Sequence, residues 1–395
     1  MTARLVTLFI AALAVPAFAQ KETDLVKLKT GEQKRGVIQA EDFRNVKVAN
    51  EEIPWSKVES VTYADQPAEL GKAESAEAAG EFAEAAQLLA PLAEPNAKAK
   101  PVFKQQAVIA LARIQLRQGQ AADAVKTATR YIDTFGAARG LREALSVIVQ
   151  GSLAEGKKDD AKAALAKIKG DVKAKHPGAA HWVTLAEADL ARATNDLATA
   201  KTAYDQVENN RTAEVDAPLR EQAGLGNAQV LSAQNRAADA ETKFRELSQK
   251  AESEPVFIAA WNGLGDLARK KADAEQGMDS AYEALFAYLR GVVLYAPGPS
   301  EPAEPREEAL FGAADSFRLL ATREQKDEEA RTRHALRAKD LFSSLLREFP
   351  SSAHAKDAEA KLKAVNDLSK GPAKDSKAAA GKDTKPAAGK DGKPR

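Results

Sequence analysis

The sequence predicts a mainly α protein, an array of about seven helical hairpins behind a small strand-rich module and ahead of a disordered tail. Three observations carry this. From Glu69 onward, alanine, leucine, glutamate and lysine dominate with helical periodicity. An alanine followed four positions later by a larger residue recurs along that stretch. Breaks containing glycine or asparagine fall just before several of these pairs.

The first element is a leader. Met1 to Arg4 is short and basic, Leu5 to Val15 is almost wholly apolar, and Ala17-Phe18-Ala19 ends it in a small-x-small pattern. This predicts a secretory signal over residues 1–19, cut between Ala19 and Gln20. The alternative is a short buried helix of a cytosolic protein. The run is about eleven residues, short of the roughly 20 that a spanning helix needs, so no transmembrane segment is expected. The sequence contains no cysteine, which predicts neither a bacterial lipoprotein anchor nor a disulfide. A periplasmic or secreted location follows as the expectation.

The second element, residues 20–66, is predicted to be a small β module. Val26 and Leu28 alternate with lysines, Gly31 makes a turn, Val37-Ile38 follow Gly36, Val46 and Val48 alternate with polar residues, and Val58, Val61 and Tyr63 close the set. Four or five short strands are expected. Pro54 cannot donate to a ladder, so the segment Ile53 to Trp55 belongs at an edge or a bend. The pattern resembles a small SH3-like or Sm-like barrel. Sm-like barrels often bind RNA, but Phe43, Trp55 and Tyr63 are read as packing residues in an exported chain.

The third element, residues 67–368, carries the hairpins. The recurring pairs are Ala85/Leu89, Ala161/Leu165, Ala200/Tyr204, Ala240/Phe244, Ala284/Tyr288 and Ala338/Phe342, with Ala124/Ala128 as a weaker copy. Each is placed in the second helix of a hairpin. Gly80, Gly119, Gly156, Asn195 and Asn235 sit at the breaks, residue types that take positive φ at low cost and end helices. Trp261, Leu264 and Gly265, with Ala268 behind them, and Ala338, Phe342 and Pro350 follow the spacing of a known repeat. On these residues the chain resembles the tetratricopeptide repeat family, in which alanine admits a close helix approach, the aromatic fills the gap and proline ends the second helix. The resemblance implies a right-handed α-solenoid whose inner groove, lined by first helices, receives a peptide or a partner domain. The marked alanines lie 39, 37, 39, 40, 44 and 54 residues apart instead of the family's ~34, so longer helices or connections are expected. Ala296 to Pro302 reads as a loop, and the charged run Thr322 to Arg333 as an extended solvated helix. Arg347 to Ala353, followed by Asp357-Ala358, is similar to helix junctions of bacterial envelope repeat proteins of the outer-membrane assembly and cell-division coordinator kinds.

Candidate binding residues come from the first helices. Asn262, Asp266 and Arg269 fall at i, i+4 and i+7 beside Trp261, along one helical face, and are the candidate groove contacts; an ordinary solvated stripe is the alternative. Trp182 and Trp261 read as packing residues, with no second aromatic spaced to pair with either. His176 and His181, the one near pair among four histidines, flank Pro177-Gly178 in a predicted connection, where the one-face geometry of a zinc pair is not available. No phosphate-cradling glycine loop, nucleophile elbow or cysteine nucleophile is present. Gly224-Leu225-Gly226 and Gly263-Leu264-Gly265 sit in helical patterns and serve close packing. Neither a metal, a cofactor nor an enzymatic activity is expected.

The last element, residues 369–395, repeats Lys374 to Gly381 as Lys382 to Gly389. It holds nothing apolar larger than alanine, so it is expected to stay disordered. From Lys370 it carries eight basic residues against three aspartates, which leaves residues 20–369 at −5 within a chain of net charge +1. An acidic body is a poor match to phosphate backbones, so nucleic acid is not an expected partner. The expected function is a non-catalytic envelope scaffold holding other proteins or peptides. The alternative is a binder of anionic envelope polymer that uses the β module and the basic tail.

Overall fold

The computed structural model describes residues 23–297, 302–350 and 352–368. The predicted signal with its cut at Ala19 and Gln20, the basic tail and the centre of the Ala296 to Pro302 loop lie outside them. Two compact units are present, the first running through Gly263 and taking Pro297 and Pro302, the second beginning at Leu264.

The β module has six strands where four or five were expected. They are β1 (Leu25–Leu28), β2 (Gln33–Arg35), β3 (Ile38–Glu41), β4 (Asn45–Val48), β5 (Glu51–Pro54) and β6 (Val58–Thr62). They form two antiparallel three-stranded sheets, ordered β2-β1-β6 and β3-β4-β5. The alternation reads directly into burial: Val26, Val46 and Val48 are fully buried and pack with Leu28 and Ile53. Pro54 closes β5 on a sheet edge, as its missing donor requires. Ala49 and Asn50 both take positive φ between Val48 and its partner Glu51, the geometry of a two-residue hairpin turn. Asp24, 5% exposed, joins this core from outside the strands, its carboxylate accepting from the N–H groups of Ile38 at 2.8 Å and Ala64 at 3.0 Å.

Fifteen helices follow among the described residues. In the first unit they are α1 (Ala68–Ala78), α2 (Phe82–Ala93), α3 (Pro101–Arg117), α4 (Ala121–Phe135), α5 (Leu141–Ala154), α6 (Lys158–Lys175), α7 (Ala179–Ala193), α8 (Leu197–Glu208), α9 (Ala217–Ala233) and α10 (Ala237–Lys250). Helix α11 (Glu254–Glu275) contains the division between units. The second unit continues with α12 (Met278–Leu294), α13 (Glu304–Arg323), α14 (Glu328–Glu348) and α15 (Ala355–Leu368). Consecutive pairs make seven hairpins, and α15 is left over as a terminal helix.

The breaks explain why hairpins form at all. At Gly80, Gly119, Gly156, Asn195 and Asn235 φ lies between 60° and 80°. The break residue donates to the carbonyl three positions back and the next residue to the carbonyl five back, as in Gly80 to Glu77 and Glu81 to Ala76, and again in Asn235 to Ser232 and Arg236 to Leu231. This double stop satisfies the orphan carbonyls of the first helix and turns the chain into the second.

Packing then follows the alanine pairs. Every paired alanine from Ala85 to Ala338 is at most 1% exposed, and the partners Leu89, Ala128, Leu165, Tyr204, Phe244, Tyr288 and Phe342 at most 4%. The rings press on glycines of the following first helix. Gly226 of α9 lies against Tyr204 of α8, Gly263 of α11 against Phe244 of α10, and Gly312 of α13 against Tyr288 of α12; a Cβ at any of them would overlap the ring. These glycines set the inter-helix distance, the close-packing role the sequence indicated for Gly226 and Gly263.

One expectation fails. Thr322 to Arg333 is not one solvated helix, because α13 stops at Arg323 and α14 starts at Glu328. Glu324 accepts from the N–H groups of Lys326 and Asp327, both at 3.0 Å, and Asp327 caps α14 by accepting from Ala330 at 2.9 Å. The acidic residues of the run are start and stop signals.

The β module is seated on the first unit. Phe43 donates its N–H to the Ala137 carbonyl at 3.0 Å, before α5, and Arg44 reaches the Glu214 carbonyl, before α9. The Arg139 guanidinium stacks over Trp55 at 4.1 Å, and Tyr63 meets Phe103 of α3 edge-on at 5.5 Å. The three aromatics read as packing residues are indeed packed, and they pack between module and helices.

Candidate binding face on the first helices

Side chains of successive first helices are joined by buried charge. In the first unit Arg113 of α3 lies between two carboxylates, paired in two-point fashion with Glu77 of α1 at 2.7 Å and also with Glu143 of α5. Arg142 of α5 stacks over Trp182 of α7 at 5.2 Å and donates to Gln222 of α9 at 2.8 Å.

The second unit reverses the sign at the centre. Asp315 of α13, with its side chain 1% exposed, is met by Arg269 of α11, by Arg318 at 2.6 Å and by Lys361 of α15 at 3.1 Å. Burial works against its charge, but the three cations outweigh burial and hold the carboxyl below the usual aspartate range.

The predicted contacts can now be placed. Asn262 lies in the first unit and is 1% exposed. Asp266 and Arg269 lie in the second. Asp266 accepts the Tyr288 hydroxyl at 2.6 Å. Desolvation pushes its carboxyl up, against the Tyr288 hydrogen bond and the nearby cations Lys270 and Arg269. Arg269 is committed to Asp315 and, at 3.4 Å, to Asp273. The same arrangement occurs in the first unit, where Asp189 accepts the Tyr204 hydroxyl at 2.5 Å and Arg192 donates to that oxygen at 3.3 Å. The sequence held a signal for it: Asp-Leu-Ala-Arg occurs at 189–192 and again at 266–269. Trp261 does have an aromatic partner, contrary to expectation: Phe257, one turn earlier at i, i+4 spacing, meets it edge-on at 6.5 Å.

Histidines mark the same unit. His354 stacks on Phe311 at 4.4 Å, while the Lys361 ammonium lies 4.5 Å from that ring's centre. His334 sits 3.2 Å from the Tyr282 hydroxyl and beside Phe317. Burial, assisted by Lys361 at His354 and Arg333 at His334, pulls both imidazoles below their ordinary value of 6.5, and Asp266, Asp357, Glu324 and Asp327 only partly oppose this. A lowered folded pKa means that the unfolded chain takes up protons first. The contribution of these rings is therefore complete above about 6.5 and is lost as pH falls below it. We expect unfolding of this unit by urea to become easier between about pH 7 and 5, and the double change His334→Phe with His354→Phe to flatten that slope. An unchanged slope would refute the assignment.

An apolar surface lies on α12. Phe286, Val293 and Leu294 are 58%, 76% and 57% exposed, and Tyr282 stacks on Phe286 at 6.3 Å.

All seven hairpins bury the same alanine position, five share the same stop, and three junctions share the ring-on-glycine packing. The repeats are tetratricopeptide-like. No protein-family profile matches the sequence, and no curated protein is similar to it. Solved structures similar to it include a tetratricopeptide repeat protein from Parabacteroides merdae, with 14% identity and a TM-score of 0.41 over 75% of this chain and 97% of that one. Another is the Cut9-Hcn1 hetero-tetramer of the APC/C, with 13% identity, a TM-score of 0.34 and coverage of 75% and 55%. The human IFIT1 dimer with m7Gppp-AAAA follows at 11% identity and a TM-score of 0.30, covering 76% and 70%. Among the described residues no helix is long and apolar enough to cross a membrane, and no group of three or more His, Cys, Asp or Glu side chains is placed to hold a metal ion.

Proposed function

We propose that this chain is a non-catalytic scaffold that holds protein or peptide partners on its repeat array, and that it works in a bacterial envelope after export. The observation that carries the reading is the α12 surface. Phe286, Val293 and Leu294 are exposed on α12, beside Tyr282, which packs inward against His334 and stacks on Phe286. Exposed apolar side chains grouped this way mark contact surfaces. The face opposite is already spent on Ala284, Tyr288 and Gly291. The charged first-helix network supplies stiffness, since Arg113 and Asp315 spend their charges on neighbouring helices.

The test is affinity capture from an envelope extract with the full chain as bait. A stoichiometric protein partner that is lost on Phe286→Glu with Val293→Glu supports the scaffold. Co-sedimentation with purified cell wall that disappears on deleting Lys370 to Arg395, with no protein partner recovered, would replace it by the polymer-binding alternative. Export is checked separately by the mass of the mature chain, which should begin at Gln20.

A further inference from the structure

A second site lies in the first unit, on a different element from the α12 surface and independent of the partner reading. The connection between α8 and α9, the first turns of α9 and the last turns of α10 line an open surface pocket of about 210 Å³. At ~30 Å³ per water that is room for about seven waters, enough for one oxyanion group and part of its hydration. Its charged lining comprises Arg211, Arg220, Lys243 and Lys250 against Glu208, Glu221 and Glu246.

The balance between them is not even. Each carboxylate is already occupied. Glu208 accepts from Asn227 at 2.5 Å and pairs with Lys243. Glu221 accepts the N–H groups of Glu252 at 2.8 Å and Ser253 at 3.0 Å, and Glu246 pairs with Lys250 at 3.3 Å. The two arginines have no such partner. Arg211 donates to the carbonyls of Glu208 at 2.5 Å and Asn210 at 3.4 Å, and Arg220 to the carbonyl of Val215. Among the described residues neither has a carboxylate within ion-pair distance. One N–H of each guanidinium fixes its position through a backbone carbonyl, and the remaining donors keep their full charge at the pocket wall. A guanidinium has five N–H donors in a planar fork that matches a carboxylate or phosphate. Two of them held at one pocket, where Lys243 and Lys250 offset Glu208 and Glu246 and only Glu221 keeps an unpaired charge tied to backbone N–H groups, leave a cationic excess that can receive an oxyanion.

We propose that this pocket binds an oxyanion, a carboxylate or a phosphate, through Arg211 and Arg220. The oxyanion is either free or carried on a partner peptide, and two probes distinguish these sources: inorganic phosphate alone, and an acetylated, amidated tetraglutamate peptide. Both are titrated calorimetrically into the full chain at about 0.05 M ionic strength, where screening is weak. Saturable binding of either probe is expected. Arg220→Gln and Arg211→Gln should each weaken it about tenfold or more, while Lys201→Gln on α8, outside the pocket, should leave it unchanged. Binding of the peptide alone identifies a partner-borne carboxylate; binding of phosphate alone identifies a free ion. Failure of both probes to saturate, or equal binding by the arginine variants, overturns the site. Arg211 is exposed and its hydrogen bonds go only to the nearby carbonyls of Glu208 and Asn210, so Arg211→Gln should fold normally; matching circular dichroism spectra show this and keep the test decisive if Arg220→Gln is unstable.

Discussion

Asp315→Ala is expected to destabilise the second unit by about 3 kcal/mol, because the change removes the buried carboxylate that Arg318 pairs with and leaves Arg269 and Lys361 with only the exposed Asp273 and Asp357. The lower end of the range for a broken buried pair applies, since the three cations are 21 to 23% exposed and recover some hydration. Asp315→Asn keeps the shape and loses the charge, so most of the loss should persist. The acid limb provides a second signature. Because the carboxyl is held below the usual range, its contribution is fully present above the unfolded value of about 4 and disappears as pH falls through the lower folded value. Wild type and variant should therefore converge in stability under strongly acidic conditions. Urea titrations at pH 7 and pH 3 test both points; a loss under about 1 kcal/mol at pH 7 would show that the cations find other partners.

Tyr204→Ala and Gly226→Val should each cost several kcal/mol and should not add. Tyr204 is 1% exposed, so truncation opens a cavity worth about 4 kcal/mol and strips Asp189 of its hydroxyl donor. Valine at Gly226 drives a branched side chain into the Tyr204 ring, an overpacking cost of about 3 kcal/mol. In the double variant the valine occupies the space the ring leaves, so its total should fall at least about 2 kcal/mol short of the sum. Additivity within about 0.5 kcal/mol would mean that the ring and the glycine do not set the spacing between α8 and α9.

The parts of this fold that repeat were legible, because repetition turns weak local signals into a pattern. A single alanine says little, but Ala85, Ala124, Ala161, Ala200 and Ala240 in register with glycine or asparagine stops specify hairpins. Isolated events were harder. Asp327 within a run of charges looked like one more solvated acid, although Asp327-Glu328-Glu329 is a helix start with an acidic first turn. The seat of the β module could not be read, since Phe43, Trp55 and Tyr63 each have the composition of ordinary core residues and their partners lie far along the chain. The candidate contacts were limited in the same way: helical spacing put Asp266 and Arg269 on one stripe, but nothing local reveals Tyr288 and Asp315 as the groups that bind them.

The seating of the β module also bears on how this chain can change length. Repeat arrays ordinarily grow or shrink by whole hairpins, because each unit touches only its neighbours. Here the turn around Phe43 and Arg44 is tied at once to the residues before α5 and to those before α9. Adding or deleting a hairpin between α5 and α9 would displace the second anchor by one repeat and break the tie. The segment from α5 to α9 thus has a fixed repeat count, whereas the stretch around Ala296 to Pro302, where the alanine spacing has already lengthened, is the place for insertions.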